Sequence, residues 1–277
     1  MRLPPAFQRF DTVNLRLRVI SAAMMLPVVL LAIYLGGIAY GALTTCVMTV
    51  GLYEWLRLVA PDARPSLVGI ALAMLIVVMI LGALVSASLG AMLGVVLTIA
   101  LYLVSEREHK EQAGWIALGL PYMAGSGLAL MAIRATPVSG MGLAFYLLIT
   151  VCSTDIGAFA VGRSIGGAKL APAISPSKTW AGLFGGMALA LVLGYLAALA
   201  FGAQHPAVAL ILSPVLACVA QAGDLFESYF KRRSNVKESG DLIPGHGGIL
   251  DRIDGLVFAA LFAALFQSTI GQHINWW

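Results

Sequence analysis

The sequence has few charged residues and no recurring cysteine pattern. Charged residues make up 11% of the 277 residues, against roughly 25% in a soluble domain. Cys46, Cys152 and Cys218 lie singly in apolar runs and form no CxxC pair, which argues against a disulfide framework. The sequence also lacks HExxH, GxSxG and Cys/His motifs, so neither a zinc site nor a serine or cysteine nucleophile is expected.

Long apolar runs occupy most of the chain. Apolar residues make up 60% of it and the mean hydropathy is +0.92. Because the runs show no strand-like alternation, we predict an all-α polytopic membrane protein rather than a barrel. Runs of about 20 apolar residues are needed for a span. The predicted spans are 17–34, 36–56, 66–82, 84–104, 114–133, 139–161, 180–202, 206–226 and 253–271.

The basic residues lie on one side of this arrangement. With a cytoplasmic N-terminus, the segments on the cytoplasmic side are 1–16, 57–65, 105–113, 162–179 and 227–252. Counting the span ends, they contain 16 of the 17 Lys and Arg residues, and Arg134 is the exception. The positive-inside rule therefore predicts about nine spans, with the N-terminus in the cytoplasm and the C-terminus on the opposite side.

We predict a single integral membrane domain over 1–277, with no separate soluble domain. Its cytoplasmic N-terminal segment is 1–16, and the loops 162–179 and 227–252 are expected to carry the functional site. The net charge of +4 fits cytoplasmic loops beside anionic headgroups, so no nucleic-acid partner is predicted.

The stretch 223–255 combines acids, bases and glycines. Asp224 lies at the end of one span and Asp251 at the start of the next, with Lys231 and Arg232 between them. Carboxylates bind hard divalent ions, and Lys and Arg neutralise phosphates. The pattern predicts phosphoryl or nucleotidyl transfer at the membrane surface. The alternative is a basic loop that only obeys the positive-inside rule.

A second polar segment covers 153–182. Asp155 lies inside a predicted span, where a charged group is costly and requires a partner. Ser177, Lys178 and Thr179 directly precede the next span. Ser177 and Thr179 either cap that helix or, with Lys178 and the helix dipole, receive phosphate groups.

The run from Ser228 to Asp254 resembles the signature of the phosphatidate cytidylyltransferase family. The matching residues are Ser228, Lys231, Arg232, Lys237, Pro244, His246, Gly247, Gly248, Asp251, Arg252 and Asp254. Asp155 and the segment from Ser175 to Trp180 are similar to other family blocks. Two positions depart from the pattern: Glu238 replaces the usual Asp, and Ala181 replaces a common Glu, for which Asp241 or Glu227 is a candidate substitute.

The resemblance implies transfer of CMP from CTP to phosphatidate, giving CDP-diacylglycerol and pyrophosphate, with Mg²⁺ alone or together with a second cation. Asp224 and Asp251 are then the predicted metal ligands. The predicted catalytic and phosphate-binding cations are Lys178, Lys231, Arg232 and Arg252. Further predicted substrate-binding residues are Ser175, Ser177, Thr179, Lys237, His246, Gly247 and Gly248. Asp155, Asp254 and Asp241 are expected to complete the metal surroundings or to orient the basic side chains.

The resemblance also implies a site at the cytoplasmic face of a membrane, typically the bacterial inner membrane, with the bilayer and both substrates as partners. Two functional alternatives remain: an ion-coupled transporter, and a CTP-dependent enzyme acting on another lipid phosphate. Small-residue pairs such as Gly90/Gly94 and Gly182/Gly186 suggest close helix packing within the chain, with a homodimer interface as the alternative.

Overall fold

The computed structural model describes residues 12–243 and 247–277, which form a helical bundle with one small hairpin. Part of the predicted N-terminal segment, 1–11, therefore lies outside the described residues. Within them the helices are α1 Thr12–Leu35, α2 Gly37–Val59, α3 Pro65–Leu84, α4 Ala87–Glu108, α5 Ala113–Ala135, α6 Gly140–Ile165, α7 Trp180–Ala200, α8 Ala209–Arg233 and α9 Leu250–Phe266. Strands β1 (Lys169–Ala171) and β2 (Ser175–Thr179) pair antiparallel between α6 and α7.

Most of these helices are suited to a bilayer. In the described parts of the chain, seven are long and apolar enough to cross a membrane, namely α3 to α7, Pro206–Arg233 and Leu250–Gly271; Ala23–Leu35 is a shorter apolar helix. The chain is therefore an all-α polytopic membrane protein, as predicted. Helix α2 is not among the seven, so nine crossings and their orientation remain predictions.

The connections predicted to lie on the cytoplasmic side meet at one end of the bundle, here called the polar end. Arg64 before α3 pairs with Glu108 at the end of α4, with 2.7 Å between Nη1 and Oε1. Ser234 after α8 donates to the Leu58 carbonyl oxygen at 2.6 Å. Arg232 donates to the carbonyl oxygen of Ile174 in the hairpin. These contacts join the start of α3 to the end of α4, the end of α8 to the end of α2, and α8 to the hairpin.

Arg134 marks the opposite end. Its Nε donates to the Ile33 carbonyl oxygen at 2.6 Å and its Nη2 to that of Tyr34 at 3.1 Å. These are carbonyl oxygens of the last turn of α1, which have no partner within the helix and are favourably met by a cation. The cation that departs from the predicted charge asymmetry thus caps a helix end.

Two of the small-residue pairs pack helices within the chain. A Cβ on Gly186 would lie 2.8 Å from the Thr154 carbonyl oxygen of α6, and one on Gly157 would lie 2.5 Å from that of Gly185 on α7. A Cβ on Gly90 would lie 2.9 Å from the Gly82 Cα of α3. The backbones approach so closely that only glycine fits, which confirms intrachain packing.

The predicted loops are longer than the real ones. Helix α6 continues to Ile165 and α8 to Arg233, while α9 already begins at Leu250. The basic residues that suggested loops lie in the last turns of α6 and α8, where cations interact favourably with the helix dipole. The segment 166–179 connects α6 to α7, and the segment 234–249 connects α8 to α9.

An aromatic core lies beside the polar end and joins α2, α5, α8 and α9. Trp55 stacks on Phe226 with the ring centroids 5.9 Å apart, and it meets Tyr122 edge-on at 5.3 Å. Phe230 packs on Trp55 and Phe258 on Phe226. These rings hold the four helices in a fixed register.

Helices α8 and α9 cross without an intervening side chain at Gly223. A Cβ at this position would lie 2.5 Å from the Asp254 carbonyl oxygen. Gly223→Ala must therefore separate the two helices, and overpacking of this kind costs about 1–3 kcal/mol. We expect the free energy of unfolding to fall by that amount, measured by thermal or denaturant unfolding in detergent. Gly69→Ala is the matched control, since nothing lies within 4 Å of its Cβ; an equally stable Gly223→Ala variant would contradict the packing.

Candidate active site

One face of α8 carries four polar residues at the polar end. Asp224, Glu227, Ser228 and Lys231 are spaced by three or four residues, so they share one side of the helix. Ser228 Oγ donates to Asp224 Oδ1 at 3.2 Å. The sequence spacing thus already places two acids and a base in a single row.

The start of α9 lies next to this row. Asp251 and Asp254 are three residues apart in the first turns of α9, on adjacent parts of its surface. Asp254 lies at the close crossing with α8 and interacts electrostatically with Asp224 and Glu227. The two acidic helix ends predicted from the sequence are therefore neighbours in the fold.

A cavity of about 600 Å³ opens between α6, α7, α8 and the hairpin. Lys178 donates to Gln221 Oε1 at 3.0 Å and forms an ion pair with Asp224 inside it. Asp155 lines the same cavity from α6 and interacts electrostatically with Asp224 and Lys178. Three of the predicted site residues, from three different elements, thus meet in one space.

Lys231 bridges two helices. Its Nζ lies 2.6 Å from Glu227 Oε2 on α8 and 2.6 Å from Asp251 Oδ1 on α9. Glu227 is completely buried, and its Oε1 has no hydrogen-bond partner among the described residues. A buried carboxylate is tolerated only when it is paired, so Lys231 is essential to the charge balance of this interface.

The second oxygen of Asp251 organises the segment before α9. Asp251 Oδ2 accepts from the backbone N–H groups of Ser239 and Gly248, each at 2.9 Å, and lies 3.0 Å from Ser239 Oγ. Gly247 has a φ of +80°, a conformation that favours glycine. The Gly248 N–H therefore already has a partner within the chain. The glycines serve the turn itself, and phosphate binding by them remains a prediction.

The predicted metal pair is split between two lysines. Asp224 pairs with Lys178, and Asp251 pairs with Lys231. Two further carboxylates lie near them: Asp254 is close enough to Asp224 and Glu227, and Glu227 to Asp251, for their like charges to repel. A shared metal ion remains a prediction for this pair.

The donor chemistry around Asp224 suits magnesium. Within 12–243 and 247–277, no group of three or more His, Cys, Asp or Glu side chains is arranged to hold a metal ion. Mg²⁺ does not require such a cage, since it is usually bound through one or two carboxylates, water and substrate phosphates. Asp155 and Asp224 on the cavity wall supply oxygen ligands of that kind.

The predicted residues around the hairpin have different surroundings. Thr179 is buried, and its Oγ1 accepts from the Gly182 N–H at 3.0 Å, so it caps α7. Ser175 is buried in β2, whereas Ser177 is exposed and lines the cavity. The capping alternative is thus confirmed for Thr179, and contact of these residues with substrate remains a prediction.

Other predicted residues lie on the surface of the polar end or beyond the described chain. Arg232, Lys237, Asp241 and Arg252 are exposed. His246 lies outside the described residues. The exposed cations among them stand around the segment between α8 and α9.

Three residues of the site were missed by sequence reasoning. Gln221 contacts Lys178, Ser239 contacts Asp251, and Glu54 of α2 is buried beside Ser239 with 3.2 Å between Oε2 and Oγ. Gln221 lies one turn before Asp224 and could have been found from that spacing. For Glu54 the available signal was a lone acid inside an apolar run.

Comparison with known proteins identifies the family. The model of the cytidylyltransferase family matches residues 16–270. The chain belongs to the cytidylyltransferase family. Family relatives include the phosphatidate cytidylyltransferase of Brucella suis, 38% identical over 94% of this chain and 95% of the relative. Those of Bacillus subtilis and Pseudomonas aeruginosa are each 32% identical, over 90% and 91% of this chain and 96% of the relative.

In this member of the cytidylyltransferase family, Lys231→Met leaves two carboxylates without their cation. Removing one partner of a buried ion pair costs about 3–5 kcal/mol, and we expect a loss of that size in unfolding free energy. Adding Glu227→Gln removes the buried charge that lost its partner, so the double variant is expected to recover part of the loss.

Arg64→Met is the matched control, because it breaks the exposed pair with Glu108 and such pairs contribute less than about 1 kcal/mol. Thermal unfolding of the purified variants measures the difference. Equal effects of Lys231→Met and Arg64→Met would contradict the bridging role.

Proposed function

We propose that the chain is a phosphatidate cytidylyltransferase, which transfers CMP from CTP to phosphatidate and yields CDP-diacylglycerol and pyrophosphate. The observation that carries the proposal is the cavity in which Lys178, Asp224 and Asp155 meet at the polar end of a membrane bundle. It combines a lysine and two carboxylates, the types of side chain that bind phosphate groups and divalent ions. The names of the relatives support the same activity.

The reaction needs positioning more than it needs a base. An oxygen of the lipid phosphate attacks the α-phosphorus of CTP and forms a new P–O bond. The bond from that phosphorus to the β-phosphate oxygen breaks, and pyrophosphate leaves with the electron pair. A phosphomonoester is largely dianionic near neutral pH, so its attacking oxygen carries no proton that must be removed. This agrees with a site that lacks a nucleophile motif.

The obstacle is repulsion between two polyanions, which cations at fixed positions reduce. Lys178 and Lys231 are already held by carboxylates on α8 and α9. Arg232 and Arg252 are exposed at the same end. We assign Lys178 and Lys231 to phosphates inside the site and the two arginines to the incoming substrates.

Mg²⁺ is the proposed cofactor, with Asp224 and Asp251 as ligands and Asp155 and Asp254 beside them. When bound, it would neutralise phosphate charge and orient the nucleotide. Asp224 lines the cavity. Asp251 is not among the residues that line it and pairs instead with Lys231 of α8. Asp155 is therefore an additional candidate ligand, and the number of ions is open to measurement.

We place the active site at the cytoplasmic face of a bacterial inner membrane. The support is the concentration of Lys and Arg in the connections of the polar end and the bacterial origin of the relatives. CTP is a cytoplasmic solute and phosphatidate is a membrane lipid, so this interface is where both are accessible. A homodimer remains a proposal. The glycine pairs on α3/α4 and α6/α7 pack helices within the chain, so they give no support to an interface between copies.

Asp224→Asn is expected to lower turnover about 100-fold or more, because an electrostatic group of the site is lost. The assay follows radiolabelled CTP into lipid, using purified protein and phosphatidate in detergent micelles. Asp251→Asn is expected to have a loss of the same order. Asp62→Asn is the control, an exposed acid in the connection between α2 and α3. Wild-type turnover in either site variant, with correct insertion, would remove that residue from the proposed metal site.

Removal of divalent cations is expected to lower turnover about 100-fold or more. Full activity is expected to return when Mg²⁺ is restored. The same labelled-CTP assay, run with EDTA and then with excess Mg²⁺, measures both. Unchanged turnover in EDTA would contradict the proposed cofactor. It would not affect the proposed substrates, which are tested by whether labelled CTP and phosphatidate yield labelled lipid.

The alternatives give different results in this assay. Another lipid phosphate as substrate predicts faster labelling with an isoprenoid phosphate than with phosphatidate. An ion-coupled transporter predicts no labelled lipid at all. A transporter is also expected to carry its charges near the bilayer midplane and in paired halves, whereas the cation pairs described here lie at the polar end.

A further inference from the structure

Glu54 on α2 is buried and serves a helix almost two hundred residues away. Its side chain is 3% exposed. Oε1 accepts the Ile249 N–H at 3.0 Å, and Oε2 accepts the Leu250 N–H at 2.7 Å. A buried carboxylate is costly unless it is fully hydrogen-bonded, and here each oxygen accepts a backbone hydrogen bond from the start of α9.

This contact replaces a local cap. The residue preceding α9 is Ile249, whose side chain offers no oxygen to the first N–H groups of the helix. Glu54 supplies two such oxygens from another helix, and its negative charge lies at the positive end of the α9 dipole. The start of α9 is therefore stabilised by a side chain of α2.

Two glycines provide the space for this carboxylate. A Cβ on Gly248 would clash with Ser239 Oγ and lie 2.5 Å from Glu54 Oε2, and one on Gly240 would lie 2.8 Å from Oε1. Larger residues at either position would displace the carboxylate from the helix start. The second glycine of the His-Gly-Gly motif is thus explained by Glu54, without reference to a bound phosphate.

The cap is connected to the proposed active site. Ser239 Oγ lies 3.2 Å from Glu54 Oε2 and 3.0 Å from Asp251 Oδ2. Because a hydroxyl has one proton, it donates to one carboxylate at a time. Asp251 follows Leu250 directly, so the contact that fixes the Leu250 N–H also fixes the backbone that directs Asp251 towards Lys231.

We propose that Glu54 is a positioning residue for nucleotidyl transfer: it caps α9 from α2 and thereby holds Asp251 in its reactive orientation. The inference rests on the proposed function of Asp251. It predicts that weakening the cap lowers the rate of the chemical step rather than the affinity for CTP, because the Glu54 carboxylate is engaged by the start of α9 and does not line the cavity.

Two variants separate charge from reach. Glu54→Gln keeps the length of the side chain but turns one acceptor into a donor that faces a backbone N–H. We expect kcat to fall about 10- to 100-fold, since small misplacements of reacting groups have effects of this size. The KM for CTP is expected to change less than about threefold, and the Mg²⁺ concentration for half-maximal rate to rise severalfold. Glu54→Asp keeps the charge with a shorter reach and is expected to show an intermediate kcat.

The measurements are made per folded protein, well below the unfolding temperature of each variant. Glu108→Gln is the control, an exposed acid on α4 that pairs with Arg64. Hydrogen exchange of the peptide covering 247–253 is expected to accelerate in Glu54→Gln and to remain unchanged in the control. This local readout reports the cap itself.

Wild-type kcat in either folded Glu54 variant would overturn the inference, as would a loss confined to KM. If Glu54→Gln does not fold, the same kcat and exchange measurements on Glu54→Asp decide. The proposed function fails separately: it is wrong if the wild-type protein does not label lipid from CTP, whatever the Glu54 variants do.

Discussion

Carboxylates among apolar helices must be paired, because isolated charges are strongly disfavoured away from water. In this bundle two lysines carry that task at the polar end. Lys178 pairs with Asp224, and Lys231 lies between Glu227 and Asp251. The packing of α8 on α9 and the position of the hairpin both depend on these pairs, so the charge balance and the fold cannot be changed independently.

The same pairs explain why this end of the molecule is suited to phosphate chemistry. The lysines are already dehydrated in part and fixed by their acids before any substrate arrives. A polyanion that enters the cavity would therefore meet Lys178 in a position that needs little reorganisation. The family membership and the names of the relatives are consistent with such a site.

Much of this arrangement could be predicted from the sequence, for physical reasons that differ between residues. The row of Asp224, Glu227 and Lys231 follows from helical spacing, and the helices themselves follow from apolar length. The proximity of Asp251 was expected from the family signature. The pairing of Lys178 with Asp224 depends on how α7 packs against α8, which no local pattern records.

The capping role of Glu54 could not be predicted from the sequence. Its partners Ile249 and Leu250 are distant in the chain and contribute backbone N–H groups, which every sequence contains. No side-chain pattern marks such a contact. The hairpin of β1 and β2 was also missed, since its short strands do not alternate between apolar and polar residues, and the helix ends at Ile165 and Arg233 extend beyond the apolar runs.

The glycine contacts between helices have a mechanical consequence. Helices α6 and α7 touch backbone to backbone at Gly157 and Gly186, and α8 touches α9 in the same way at Gly223. At these points each pair is therefore held by direct backbone contact, which no change of side-chain rotamer can relax. Since the cavity lies where α6 and α7 meet α8, widening it for a bulky lipid headgroup would require these two helix pairs to separate, with Lys178 and Asp224 on opposite sides of the gap.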